Sequence, residues 1–143
     1  MILLDTDTVT LLNQGHPQVA ARALAATERI AITVVSRIEI LRGRWDFLLK
    51  AADGGQLQRA QMLLHEAEQS LSKYTVVSIN AAAAAEFDRL RQDKKLKKIG
   101  RADLLIATIA LANRAALISR NLRHFRQVAG LQVENWADDR AHG

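Results

Sequence analysis

Short apolar runs alternate with longer amphipathic stretches along this chain. Ile2-Leu3-Leu4, Ile30 to Val35, Thr75 to Ile79 and Ala116 to Ser119 read as buried strands, because runs rich in aliphatic residues suit strands covered on both faces. A last short strand fits the segment from Leu131 to Val133. Between these runs the apolar positions recur at helical spacing. Val9 to Gln14 forms a short helix, and Gln18 to Thr27 follows Pro17, a residue suited to a first helical turn. Ser36 to Leu49 continues the series, and Gln56 to Lys73 carries Leu57, Ala60, Leu63, Leu64, Ala67 and Leu71 on one face. Asn80 is placed to cap a helix reaching about Lys95, and Arg101 to Asn113 makes another. Strands alternating with helices predict an α/β fold: three α/β/α layers around a mostly parallel sheet of four to five strands.

Length and composition narrow the class. A chain of 143 residues with one proline, seven glycines and no linker or repeat is expected to be one domain, residues 1–143. It has no cysteine, which excludes disulfide scaffolds, thiolate zinc sites and cysteine nucleophiles. The opening MILLDTD lacks a basic leader region, and no apolar run approaches the ~18 residues of a membrane span. A soluble, cytoplasmic protein without a membrane partner is the expectation.

Charge is distributed unevenly. The total of +5 combines a net −2 over residues 1–88, a net +9 over residues 89–126, and a net −2 over residues 127–143. The run Lys94 to Lys98 reads as a solvated helix end, where cations complement the helix dipole. The whole basic segment also reads as a phosphate-facing surface, and both readings stay open.

Ligands of parallel sheets bind beyond the carboxyl ends of the strands, which directs attention to Asp5 and Asp7, Ser36 and Glu39, Asn80, Arg120, Asn121 and His124. Each acid has a structural explanation. Asp7 fits a helix N-cap well; Asp5, at the end of a buried strand, fits it less well. Ser36 and Glu39 have the spacing of a capping box. Asp103 suits a first-turn acid facing the helix dipole, yet it is the lone acid between Asp93 and Glu134. Their joint placement at helix starts around one cleft is a separate observation. Carboxylates brought together repel, so such a cluster asks for a divalent cation, and oxygen ligands suit Mg²⁺ or Mn²⁺. The chain has no Gly-rich phosphate loop, no nucleophile elbow and no histidine pair at metal spacing. Of His16, His65, His124 and His142, only His124 stands at a predicted strand end.

Four segments carry a family resemblance. Ile2-Leu3-Leu4-Asp5-Thr6-Asp7 and Val35-Ser36-Arg37-Ile38-Glu39-Ile40-Leu41-Arg42-Gly43 resemble the first two motifs of PIN-domain ribonucleases. Ile99-Gly100-Arg101-Ala102-Asp103-Leu104-Leu105-Ile106-Ala107 is similar to the third. Ser119-Arg120-Asn121-Leu122-Arg123-His124-Phe125, followed by Val128 to Trp136, is similar to the C-terminal signature of VapC toxins. The order and spacing match over nearly the whole chain. The resemblance implies a metal-dependent endoribonuclease, the toxin half of a type II toxin–antitoxin pair. It implies Asp5, Glu39 and Asp103 as the acidic metal site, with Asp5 and Asp103 the principal Mg²⁺ ligands. Asp7 and Ser36 take supporting positions. It further implies a homodimer silenced by a cognate antitoxin laid across the cleft.

One departure stands out. The family commonly supplies a fourth acid at the place of Asn121 or His124, and here neither is acidic. Asn121 remains a water acceptor, and His124 suits Mn²⁺ better than Mg²⁺. One-metal hydrolysis is retained, while a second metal position loses a charge. Arg101, Arg120 and Arg123 flank these positions and are expected to contact RNA phosphates. The rival reading is a PIN-fold module that binds RNA or a partner protein without cutting it; a DNA or flap nuclease fits less well, for want of helical insertions.

Overall fold

The computed structural model describes residues 1–138, so the last five residues of the expected domain, His142 among them, lie outside the described residues. The elements in chain order are β1 (Ile2–Leu4), α1 (Thr6–Asn13), α2 (Pro17–Ala25), β2 (Ile30–Thr33), α3 (Val34–Leu49), α4 (Gly54–Leu71), β3 (Thr75–Val77), α5 (Ala81–Leu90), α6 (Arg101–Ala112), β4 (Ala116–Ile118), α7 (Leu122–Phe125) and β5 (Val133–Glu134). The five strands form one parallel sheet in the order β3-β2-β1-β4-β5. The expected α/β architecture is therefore present, with the fifth strand starting two residues later and ending one residue later than the sequence suggests.

Side chains alternate across the sheet with the strand period of two, so β1, β2 and β4 each supply two cores. Leu3, Ala31 and Leu117 face a cluster built with Ala83 and Leu90 of α5, Leu104, Ile106, Ala107, Ile109 and Ala110 of α6, and Phe125 of α7. Ile2, Leu4, Ile32 and Ile118 face the other cluster, with Val9 of α1, Val19 of α2, Leu71 of α4 and Trp136. Burial on both faces explains why the strands are continuous aliphatic runs.

Several boundaries differ from the sequence reading, each for a local reason. Val34 and Val35 read as strand residues, yet they open α3, because the Thr33 hydroxyl caps that helix by accepting from Ser36 N at 3.1 Å. Ser36 is consequently not the cap, and the Ser36–Glu39 capping box does not form. Asp5, not Asp7, caps α1, its Oδ1 accepting from Thr8 N at 2.9 Å. Helix α5 starts after Asn80 as expected but stops at Leu90. Continuing it would stack like charges one turn apart, such as Arg91 over Lys95 and Lys94 over Lys98. Asp93 instead caps a single 3₁₀ turn over Lys94–Leu96. The short helix α7 has no clear periodic signal and is pinned by buried Phe125.

The chain begins in the middle of the sheet. Strands β2 and β3 are added on one side of β1, and β4 and β5 on the other. A crevice is expected where the winding direction reverses, beyond the carboxyl ends of β1 and β4. Among the described residues no helix is long and apolar enough to cross a membrane.

Candidate active site

That crevice exists. A cleft of about 490 Å³ is lined by Asp5, Thr6, Asp7, Thr10, Glu39, Asp103, Arg120 and Asn121. These side chains arrive from four places: the end of β1 with α1, the second turn of α3, the first turn of α6, and the segment after β4.

Asp5 forms the floor. Its amide donates to Ile118 O at 3.0 Å, extending the β1–β4 pairing by one residue, and its side chain is 6% exposed. Capping α1 occupies Oδ1, which leaves Oδ2 as the oxygen without a hydrogen bond among the described residues. Thr8, the residue it caps, is itself held by its hydroxyl donating to Ile118 O at 3.2 Å. The carboxylate that looked too buried for a cap is thus a cap with one oxygen to spare.

Glu39 enters from α3. Thr6 Oγ1 lies 2.6 Å from Glu39 Oε1 and 2.9 Å from Ser36 Oγ. Thr6 has one proton, and a carboxylate only accepts, so that proton goes to Glu39 and the Ser36 hydroxyl donates to the Thr6 oxygen. Thr33 Oγ1, 3.4 Å from Ser36 Oγ, extends the chain into the buried end of β2. Ser36 is fully buried and reaches the cleft only through Thr6. Thr6 is not among the residues that the sequence singles out. Its place between two acids at a strand end was the available signal.

Asp103 is half-buried on α6. Burial holds its carboxyl above the usual carboxylate range, and the charges of Asp5 and Glu39 push it further up. The charge of His124 and the Asn121 amide pull it partly back. Asn121 Nδ2 also lies 3.1 Å from His124 Nδ1, so Asn121 stands between the acid and the imidazole. The charges of Asp5 and Glu39 thus act on Asp103 within the one cleft.

Asp7 also lines the cleft. It pairs with Arg120, Oδ2 to Nε at 3.2 Å, across the mouth of the cleft, with both side chains about half exposed. Arg101 sits outside the cleft with its guanidinium carbon 5.1 Å from the centre of the Phe87 ring. Arg123 is exposed and forms no ion pair among the described residues. His124 is close enough to act on Asp103 but does not line the cleft.

Among the described residues, no three Asp, Glu or His side chains are placed to enclose an ion by themselves. This set suits a hard cation that retains water. Mg²⁺ is commonly held by one or two carboxylates with water and substrate phosphate completing its shell. An unbonded Asp5 oxygen beside a charge-repelled Asp103 fits that demand, whereas a dehydrated protein cage does not.

Residues 2–131 match the family model described as PIN domain. Ribonuclease VapC2 of Rickettsia felis is 34% identical over 68 residues, covering 46% of this chain, and the chain spans only 51% of that relative's length. Ribonuclease VapC1 of Haemophilus influenzae is 26% identical over 137 residues, covering 94% of this chain and 96% of the relative. The solved structure of VapBC-1 from nontypeable Haemophilus influenzae superposes with a TM-score of 0.79 at 22% identity, over 96% of this chain and 100% of that one, a likeness of fold.

Proposed function

The chain belongs to the PIN-domain family, and from that premise we propose that it is a metal-dependent endoribonuclease, the toxin of a toxin–antitoxin pair. The observation that carries the reading is the joint arrival of Asp5, Glu39 and Asp103 in one cleft at the carboxyl edge of a parallel sheet. Burial first, and then the charges of Asp5 and Glu39, raise the proton affinity of Asp103, and a divalent cation would offset that cost. Curated relatives named as ribonucleases, one aligned over nearly the full chain, support RNA as the substrate.

In this reading Asp5 and Asp103 would hold Mg²⁺ or Mn²⁺. When bound, the ion supplies positive charge against the scissile phosphate and acidifies water for attack. Glu39, its Oε1 fixed by Thr6, orients the water and receives its proton. Asn121 keeps the Asp103 carboxylate turned to the cleft. Arg120, at the mouth, neutralises an incoming phosphate, with Arg101 and Arg123 contacting the backbone beyond. A cognate antitoxin is the protein partner in this reading, supported by the fold likeness to the solved toxin–antitoxin complex from Klebsiella pneumoniae, and a homodimer is carried over from the family resemblance alone.

A binding module without activity is favoured by one observation, the absence of an acid at both Asn121 and His124. Total RNA incubated with the purified protein separates the two. Discrete products with Mg²⁺ or Mn²⁺ that vanish with chelator support the enzyme; RNA bound tightly but left whole under both conditions supports the module.

A further inference from the structure

Between α5 and α6 the backbone makes a loop that displays charge in an ordered way. Arg91, Lys94, Lys95, Lys97 and Lys98 are exposed, and none forms an ion pair among the described residues. The loop is nevertheless built in. Leu96 and Ile99 are buried in the core formed by α5 and α6, at 4% and 7% exposure. Asp93, the one acid within residues 91–98, has its Oδ1 engaged by Lys95 N at 3.0 Å. Two apolar anchors thus fix the backbone while five cations point to solvent without a counter-charge.

Position gives this charge a direction. The loop leads through Gly100 into the first turn of α6, whose Asp103 lines the cleft five residues beyond Lys98. The arginines nearest the acids are already engaged, Arg120 by Asp7 and Arg101 by the Phe87 ring. The lysines, like Arg123, are exposed and form no ion pair among the described residues.

We infer that residues 91–98 form a docking track for the phosphodiester backbone of single-stranded RNA, binding phosphates outside the cleaved linkage. The inference rests on the proposed function and adds to it a binding site separate from the acidic cleft. A lysine is a point charge that binds phosphate without reading the base, so the track supplies affinity and not sequence choice. Its contribution is therefore in KM and in salt dependence, with kcat left to the cleft.

The test is a variant carrying Lys94→Gln, Lys95→Gln, Lys97→Gln and Lys98→Gln, beside a control carrying Lys50→Gln, Arg59→Gln and Lys73→Gln. A labelled single-stranded RNA oligonucleotide reports binding by anisotropy across a salt series, in an Asp5→Asn background that keeps the RNA whole. Each single-strand phosphate contact contributes about 0.7 to the slope of log K against log salt, so losing four lowers its magnitude by about 3. Affinity at low salt is expected to fall on the order of tenfold or more, with the control slope moving by less than about 1. Cleavage by the four-lysine variant, with Asp5 retained, is expected to show raised KM and kcat within about twofold, since phosphate contacts away from the reacting atoms bind ground and transition states alike. An unchanged slope and KM in a variant whose melting curve is intact overturns the inference. So does a variant that binds RNA normally but loses a purified acidic protein partner. Failure of the wild type to cut any RNA sinks the hydrolase reading instead, and the anisotropy series still decides the track.

Discussion

The Thr6 hydroxyl donates to Glu39 Oε1 across 2.6 Å, tying the first turn of α1 to the second turn of α3 inside the acidic cleft. The same oxygen meets the fully buried Ser36. Removing the hydroxyl frees Glu39 to rotate without removing its charge. Thr6→Val is expected to lower kcat/KM roughly tenfold and stability by about 1 kcal/mol, the usual scale of one hydrogen bond. Thr6→Ser, which keeps the hydroxyl, restores most of both. Cleavage kinetics with thermal melts check this, and equal losses in Thr6→Ser and Thr6→Val contradict it.

Asp103 binds its proton more tightly in the folded protein than an ordinary aspartate does, first through burial and then through Asp5 and Glu39. Between the unfolded value of about 3.9 and the raised folded value, the native state holds more protons, so stability falls as pH rises through that window. Above it the penalty is fully present. Asp103→Asn is therefore expected to raise the Tm of the metal-free protein at neutral pH, by roughly 1–4 °C given its partial exposure. Below the window the gain disappears. Mg²⁺ should raise the Tm of the wild type more than that of Asp103→Asn, because the ion binds the native cluster. Melting curves at two pH values, with and without Mg²⁺, read all three effects. A neutral-pH Tm that falls in Asp103→Asn contradicts the electrostatic account.

The Asp7–Arg120 pair spans the cleft mouth with both side chains about half exposed. Exposed pairs contribute about 0–1 kcal/mol, so Arg120→Ala is expected to shift Tm by only a few degrees. If Arg120 meets the incoming phosphate, the same variant loses about tenfold in kcat/KM, while Asp7→Asn, which releases Arg120, loses less. Steady-state kinetics on the two variants make the comparison. A larger loss in Asp7→Asn would assign the pair to positioning Asp7 and not to freeing Arg120.

Much of this architecture is legible in the chain. Ile2 to Leu4 and Ala116 to Ile118 are apolar throughout because both faces of a parallel sheet are covered, and Asp5 and Asn121 follow where such strands end. Asp103 marks the start of α6 as the sequence suggests. What escaped depends on contacts between segments or on competition within one. Val34 and Val35 have strand chemistry, and only the Thr33 hydroxyl reaching Ser36 N makes them helical. Asp5 and Asp7 are both reasonable caps, and the ladder bond from Asp5 N to Ile118 O decides between them. Thr6 joins Glu39 over 33 positions of sequence, and no periodicity records a hydroxyl pointing at a distant carboxylate.

The central claim is that the carboxylates of this cleft cut RNA. Its most direct test compares wild type with Asp5→Asn on total RNA at fixed Mn²⁺ or Mg²⁺, with the new RNA ends sequenced. Asp5→Asn retains the cap to Thr8 N through its amide oxygen, so folding survives while the charge is lost. The account predicts defined ends with wild-type protein and none above background with a folded Asp5→Asn. The same ends at an undiminished rate from Asp5→Asn would contradict it.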